Sequence, residues 1–169
     1  MKPRSTGALQ LAAAALLRAV LLATAMHAAG ATAAPRAPGF TLPDLDGNLV
    51  TLRQLRRKGY VLLVFWSTQC PYCHAMIPDF KRAYRDYDGR GLTMAAVDVG
   101  TEDVNSVQAY VMENDLPYLV LNDARSKQQL IRTYHLRGTP TVVLVAPDGE
   151  VEFRGHRVPD LSIWLPPDR

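Results

Sequence analysis

The chain has 169 residues, of which 19 are basic and 16 acidic, and it contains two cysteines. Lys2, Arg4 and Arg18 precede position 34 and every acid follows it, so residues 34–169 carry 16 basic against 16 acidic side chains and are formally neutral. With no Lys/Arg stripe interleaved with aromatics, this balance excludes nucleic-acid binding driven by net charge, and two cysteines allow at most one bridge.

In chain order, residues 1–33 come first, with three basic residues, no acid and a high Ala/Leu content. They read as an export signal. Arg18 leaves roughly 13 uncharged residues before it, short of the 18 or more that a spanning helix needs. Ala31-Thr32-Ala33 fits a small-x-small cleavage pattern, which sets the expected mature start near Ala34, with a retained anchor as the alternative. On either reading the domain works in the periplasm or otherwise outside the cytoplasm. About 135 residues follow, enough for one domain with a real core and too few for two.

Pro38-Gly39-Phe40-Thr41-Leu42 and Asn48-Leu49-Val50-Thr51-Leu52 flank Asp46-Gly47, a strand pair around a turn signal. Arg56-Arg57-Lys58 reads as a solvated helix end. Tyr60 to Trp66 is β-branched and aromatic without alternation, as in a strand buried on both faces. From Pro71 to about Tyr87, apolar residues recur at helical spacing, and Pro71 suits a first turn. Residues 92–99 read as a strand, 104–114 as a helix, 119–121 as a short strand and 125–134 as a helix. Thr141 to Val145 and Val151 to Arg154 are strands around the Asp148-Gly149 turn. The expected fold is α/β, a sandwich with a central mixed sheet flanked by helices. Prolines 159, 166 and 167 limit any last helix to about one or two turns.

The chemistry concentrates at Cys70-Pro71-Tyr72-Cys73-His74. Two thiols three apart in a first helical turn share one face and meet disulfide geometry. Unpaired amides and the positive end of the helix dipole stabilise a thiolate at Cys70, lowering its pKa. Cys70 is therefore the expected nucleophile. Cys73, one turn further in, is the expected resolving thiol, attacking the mixed disulfide that Cys70 forms. A purely structural bridge is the alternative, but a staple gains most by closing a long loop, and this one closes almost none.

With those elements in order, residues 38–155 resemble thioredoxin-fold proteins, and most of all the exported TlpA/ResA-type thiol-disulfide oxidoreductases. Four features carry the likeness: the hairpin segment from Phe40 to Leu52, Trp66 with the Cys70/Cys73 pair, Pro78, and Gly138-Thr139-Pro140-Thr141. The resemblance implies an N-terminal β extension, a helix bent at Pro78, and a central αβ insertion from Asp103 to Leu121. It also implies a cis peptide before Pro140 and a docking edge for an extended partner chain at Thr139 and Pro140. Trp66, Pro71 and Tyr72 are the further expected partner contacts.

Two departures stand out. The buried acid of thioredoxins is replaced by Val64, and the glutamate of exported relatives by Met76. A group near Cys73 must still take its proton, and His74, Asp79 or a water are the candidates. Gln69 stands where a tryptophan usually precedes the first cysteine.

Three rival readings share the motif. Cys-x-x-Cys-His is also the spacing of covalent c-type haem attachment, although here a buried strand leads into it. Peroxiredoxins share the fold, but this chain has Leu63 where they need a proline. A non-catalytic redox-sensing module would use the same groove. A zinc site lacks ligands, so no metal is expected. The expectation is a monomeric, cofactor-free oxidoreductase acting on protein thiols and disulfides. By resemblance it reduces them, in a role such as cytochrome c maturation, with electrons from a membrane thiol donor of the DsbD/CcdA kind; a disulfide donor or isomerase is the alternative.

Overall fold

The computed structural model describes residues 34–165. The expected signal segment, residues 1–33, lies outside them, as does the end of the tail.

The chain opens with a two-stranded antiparallel hairpin, β1 (Thr41–Pro43) and β2 (Leu49–Thr51). Asp44 builds its turn: one carboxylate oxygen accepts from the amides of Asp46 (3.0 Å) and Asn48 (2.8 Å). The Asn48 side-chain amide, which also donates to this carboxylate, and then these backbone bonds hold its pKa below the usual range. Gly47 takes φ +86° in the same turn, a conformation that disfavours residues with a Cβ. Thr51 then caps a one-turn helix, α1 (Leu52–Leu55), reciprocally with Gln54. The sequence reading ended that segment as a strand; the capping box turns it into a helix instead. Arg56–Lys58 follows as a 3-10 turn in which Arg57 and Lys58 are exposed, while Arg56 is half-buried and donates to the Pro147 carbonyl at 3.2 Å.

The main sheet has the order β5-β4-β3-β6-β7. At its centre β3 (Tyr60–Trp66) pairs in parallel with β4 (Leu92–Asp98) and antiparallel with β6 (Thr141–Val145). β5 (Leu119–Asn122) and β7 (Val151–Gly155) form the two sides. The sheet is mixed, as expected. Flanking it are α2 (Pro71–Ala75), α3 (Ile77–Tyr87), α4 (Val104–Glu113) and α5 (Lys127–Thr133).

Alternate residues of β3 feed two cores. Leu62, Val64 and Trp66 pack with Phe80, Met94, Val107 and both cysteines. Val61, Leu63 and Phe65 pack on the other face with Leu42, Leu52, Leu130 and Tyr134. The ring of Phe65 lies 4.6 Å from that of Tyr134, centroid to centroid. The hydroxyl of Tyr134 donates to the Pro38 carbonyl, tying the N-terminal segment to this face. Backbone bonds from Ala37 to Gly149 and from Val151 to Pro35 fasten the same segment to the β6–β7 hairpin. Among the described residues no helix is long and apolar enough to cross a membrane.

Phe65 is fully buried, so Phe65→Ala should lower the free energy of unfolding by about 3–5 kcal/mol in urea titrations. Met112→Ala, at a side chain left exposed on α4, should change it by no more than about 0.5 kcal/mol.

Candidate active site

Burial pins β3 until Trp66, and three residues then turn the chain into α2. Cys70 occupies the N-cap of that helix with extended backbone (φ −90°, ψ 106°), and Pro71 fills its first turn. The Cys70 sulfur accepts from the Cys73 amide at 3.1 Å. A sulfur at the N-cap thus does the work that a Ser or Asp oxygen does elsewhere. Cys70 and Cys73 are joined in a disulfide with their Cα atoms 5.2 Å apart, well inside the range a bridge needs. Cys70 is 8% exposed and Cys73 3%, so Cys70 is the more accessible residue of the two.

The helix does not run on from Pro71 to Tyr87. It ends at Met76, whose amide is shared among the carbonyls of Tyr72, Cys73 and His74, and α3 starts again at Ile77. Pro78 accounts for the break, because its ring crowds the carbonyl four residues back and it donates no hydrogen bond.

The Thr139-Pro140 peptide bond is cis. Phe65 pairs with Thr141 across β3 and β6, so Pro140 falls opposite Trp66, at the end of the sheet from which the disulfide loop departs. Pro140 is buried and Thr139 half-buried. Two bonds secure this corner: the Thr141 hydroxyl donates to the Gly138 carbonyl at 2.6 Å, and His156 Nδ1 lies 2.7 Å from the Pro140 carbonyl. Of the expected partner contacts, Tyr72 stands 77% exposed beside the disulfide. Trp66 is buried, its ring 5.3 Å from that of Tyr110.

The two expected proton acceptors part company. Asp79 is exposed and paired with Arg82 at 3.3 Å. His74 Nδ1 lies 3.0 Å from the hydroxyl of Tyr110 on α4. Tyr110, Trp66 and Cys73 border one small cavity, and the Trp66 indole nitrogen is buried there without a protein partner. Burial, aided by nearby Glu113, pushes the Tyr110 hydroxyl pKa up, so it stays protonated. Val64 is buried in the core, and Met76 packs against that core partly buried.

The sequence reading missed Glu102, Tyr110 and His156. The Glu102 carboxylate accepts from the Thr68 amide at 2.7 Å, the Thr68 hydroxyl at 2.5 Å and the Gln69 amide at 3.2 Å. It thereby grips the loop directly before Cys70. These residues are far apart in the chain and carry no local motif, so only the fold could bring them together. Beside Glu102 lies a buried ion pair, Lys127 with Asp98. Asp98 also accepts from the Asn122 side chain at 2.9 Å and the Gly100 amide at 3.1 Å. Burial raises the Asp98 pKa, and Lys127 offsets part of that rise. Among the described residues no group of three or more His, Cys, Asp or Glu side chains is placed to hold a metal ion.

The AhpC/TSA family model matches residues 34–154. Thiol-disulfide oxidoreductase ResA of Halalkalibacterium halodurans is 33% identical over 121 residues, covering 72% of this chain and 66% of that protein. ResA of Bacillus thuringiensis subsp. konkukian is 32% identical over 123 residues, covering 72% and 69%. The chain thus spans about two thirds of the length of these relatives. A thiol:disulfide interchange protein from Bacteroides sp. superposes with a TM-score of 0.66 at 26% identity, over 78% of this chain and 89% of that one. The thioredoxin domain of a thiol-disulfide oxidoreductase from Bacteroides vulgatus gives 0.66 at 25% identity, over 75% and 91%. With its cysteine pair at a helix N-terminus and a cis proline at the facing strand end, the chain belongs to the AhpC/TSA family, among its thioredoxin-fold thiol-disulfide oxidoreductases.

Proposed function

We propose that this protein is an exported, cofactor-free reductase of disulfides in other proteins, working outside the cytoplasm. The observation that carries the proposal is the Cys70–Cys73 bridge at the start of α2, Cys70 being the more exposed residue, with Tyr72 protruding beside it. In the reduced protein the Cys70 thiolate attacks a partner disulfide. A Cys70–partner disulfide forms and one partner thiolate leaves. Cys73, deprotonated, then attacks the Cys70 sulfur, which releases the second partner thiol and closes the Cys70–Cys73 bridge. Two electrons pass to the partner, and a thiol donor must return them. A membrane thiol carrier of the DsbD/CcdA kind suits that role, and apocytochrome c cysteines before haem attachment are a fitting substrate class.

Thr139 and Pro140 offer the partner chain an edge, with Pro71 and Tyr72 as the facing contacts and Trp66 as buried support. The Cys73 proton leaves through the cavity it shares with Tyr110, whose hydroxyl meets His74 at the surface. Asp79, held by Arg82 on an exposed face, is the weaker candidate for that proton. Export by the N-terminal segment is supported by its composition alone.

Cys70→Ser should abolish turnover of a model protein disulfide such as insulin, and Cys73→Ala should accumulate a mixed disulfide through Cys70, seen by mass spectrometry. Retained turnover in Cys70→Ser would sink the enzymatic reading. A reductase should also equilibrate near a thioredoxin-like potential of about −270 mV. A value near −120 mV, typical of a strong oxidant, would make the protein a disulfide donor instead. Tyr110→Phe should slow the resolving step about tenfold while leaving attack by Cys70 unchanged, which stopped-flow measurement of the two steps separates.

A further inference from the structure

The loop that delivers Cys70 is fastened from outside its own helix. Glu102 lies at the start of the segment that leads into α4, where Asp103 caps the helix by accepting from the Ser106 amide at 2.8 Å. Its carboxylate takes three donors from the loop before Cys70: both donors of Thr68 and the amide of Gln69. Gly100 makes this approach feasible, because a Cβ there would stand 2.7 Å from Ser67 Cβ and would meet the Glu102 carboxylate. From behind, the Glu102 carbonyl accepts from the Lys127 ammonium at 2.9 Å, and that ammonium is anchored on buried Asp98. The second carboxylate oxygen of Glu102 is buried without a hydrogen-bond partner. Burial works against the ionised form of Glu102, but the Thr68 hydroxyl and the loop amides outweigh it and hold its pKa below the ordinary 4.5.

A negative charge fixed at this point opposes the helix N-terminus. The Thr68 and Gln69 amides, directly before Cys70, are committed to a carboxylate, and the charge itself disfavours a second anion nearby. A thiolate that is less stabilised makes the reduced pair less stable relative to the disulfide, and a dithiol of that kind is the better reductant. We propose that Glu102 is a positioning residue that fixes the Ser67 to Gln69 turn and sets the redox poise of the Cys70/Cys73 pair toward reduction. This rests on the reductase reading above. It also gives the segment between β4 and β5 a task at the active site.

Glu102→Gln keeps the shape and one acceptor while removing the charge. Its Cys70/Cys73 equilibrium with glutathione or dithiothreitol should shift about tenfold toward the dithiol, equivalent to roughly 30 mV in the oxidising direction, and Cys70 alkylation should reach half-maximum at lower pH. Glu102→Asp, which retains the charge, should stay within about threefold of wild type. An unchanged potential in Glu102→Gln, or a tenfold shift in Glu102→Asp, overturns the proposal, the second even where the Gln variant does not fold. A high wild-type potential would instead strike the reductase reading itself. The clamp has its own readout in urea titrations. A lowered folded pKa means that the carboxylate's contribution is complete above 4.5 and is lost as pH falls through the folded value. The stability gap between wild type and Glu102→Gln should therefore be present at neutral pH and close in acid. A gap that does not depend on pH would remove the carboxylate from the account.

Discussion

Everything at this site depends on where β3 stops. Seven residues, nearly all buried, hold the strand between β4 and β6, and the alternation of their side chains commits both faces of the sheet to a core. The strand cannot slip by one residue without turning Leu62, Val64 and Trp66 to the wrong face. That fixes Trp66 as its last residue, leaves three residues for the turn, and places Cys70 where an N-cap belongs. The disulfide follows from this placement, since the Cys73 amide already points at the Cys70 sulfur at 3.1 Å.

The electrostatics of the pair are a balance between opposing groups. The amide ends of α2 favour a thiolate at Cys70. The customary buried acid is absent, with Val64 packed in its place, and the loop before Cys70 is held instead by the network of Glu102, Lys127 and Asp98. The buried ion pair in this network is costly and is offset by its hydrogen bonds: Asp98 has three partners and Lys127 two. Lys127 fixes the backbone of Glu102, and Glu102 fixes the loop. On this account the segment carrying α4 and β5 supports the site twice, through Glu102 under the loop and through Tyr110 against Trp66 and His74.

Much of this could be read from the residues in order. The unbroken apolar run of β3 and the turn residues of the β6–β7 hairpin gave strands whose bounds match closely, because burial on both faces and turn chemistry are local signals. The cysteine pair and Thr139-Pro140 were legible as motifs. The helix from Pro71 to Tyr87 was legible as one periodic stretch, but periodicity cannot show that the chain restarts at Ile77 two residues after Ala75. The helix Leu52–Leu55 was hidden in an extended-looking run, since its signal is the pairing of Thr51 with Gln54 and not any apolar spacing. Trp66 shows another limit, because an aromatic next to a reactive loop reads alike whether its ring faces a partner or the core. Glu102 was illegible for a different reason: its three donors lie more than thirty positions away, and an isolated glutamate before a helix reads as solvated.

The central claim is that the start of α2 makes the two thiols unequal, with Cys70 ionised early and Cys73 shielded. Alkylation of the fully reduced protein across pH, with the modified cysteine identified by peptide mapping, measures that inequality directly. The account predicts modification at Cys70 alone, with a midpoint below the 8.5 of a free thiol. Equal modification of both cysteines, or a midpoint at or above that value, would contradict it.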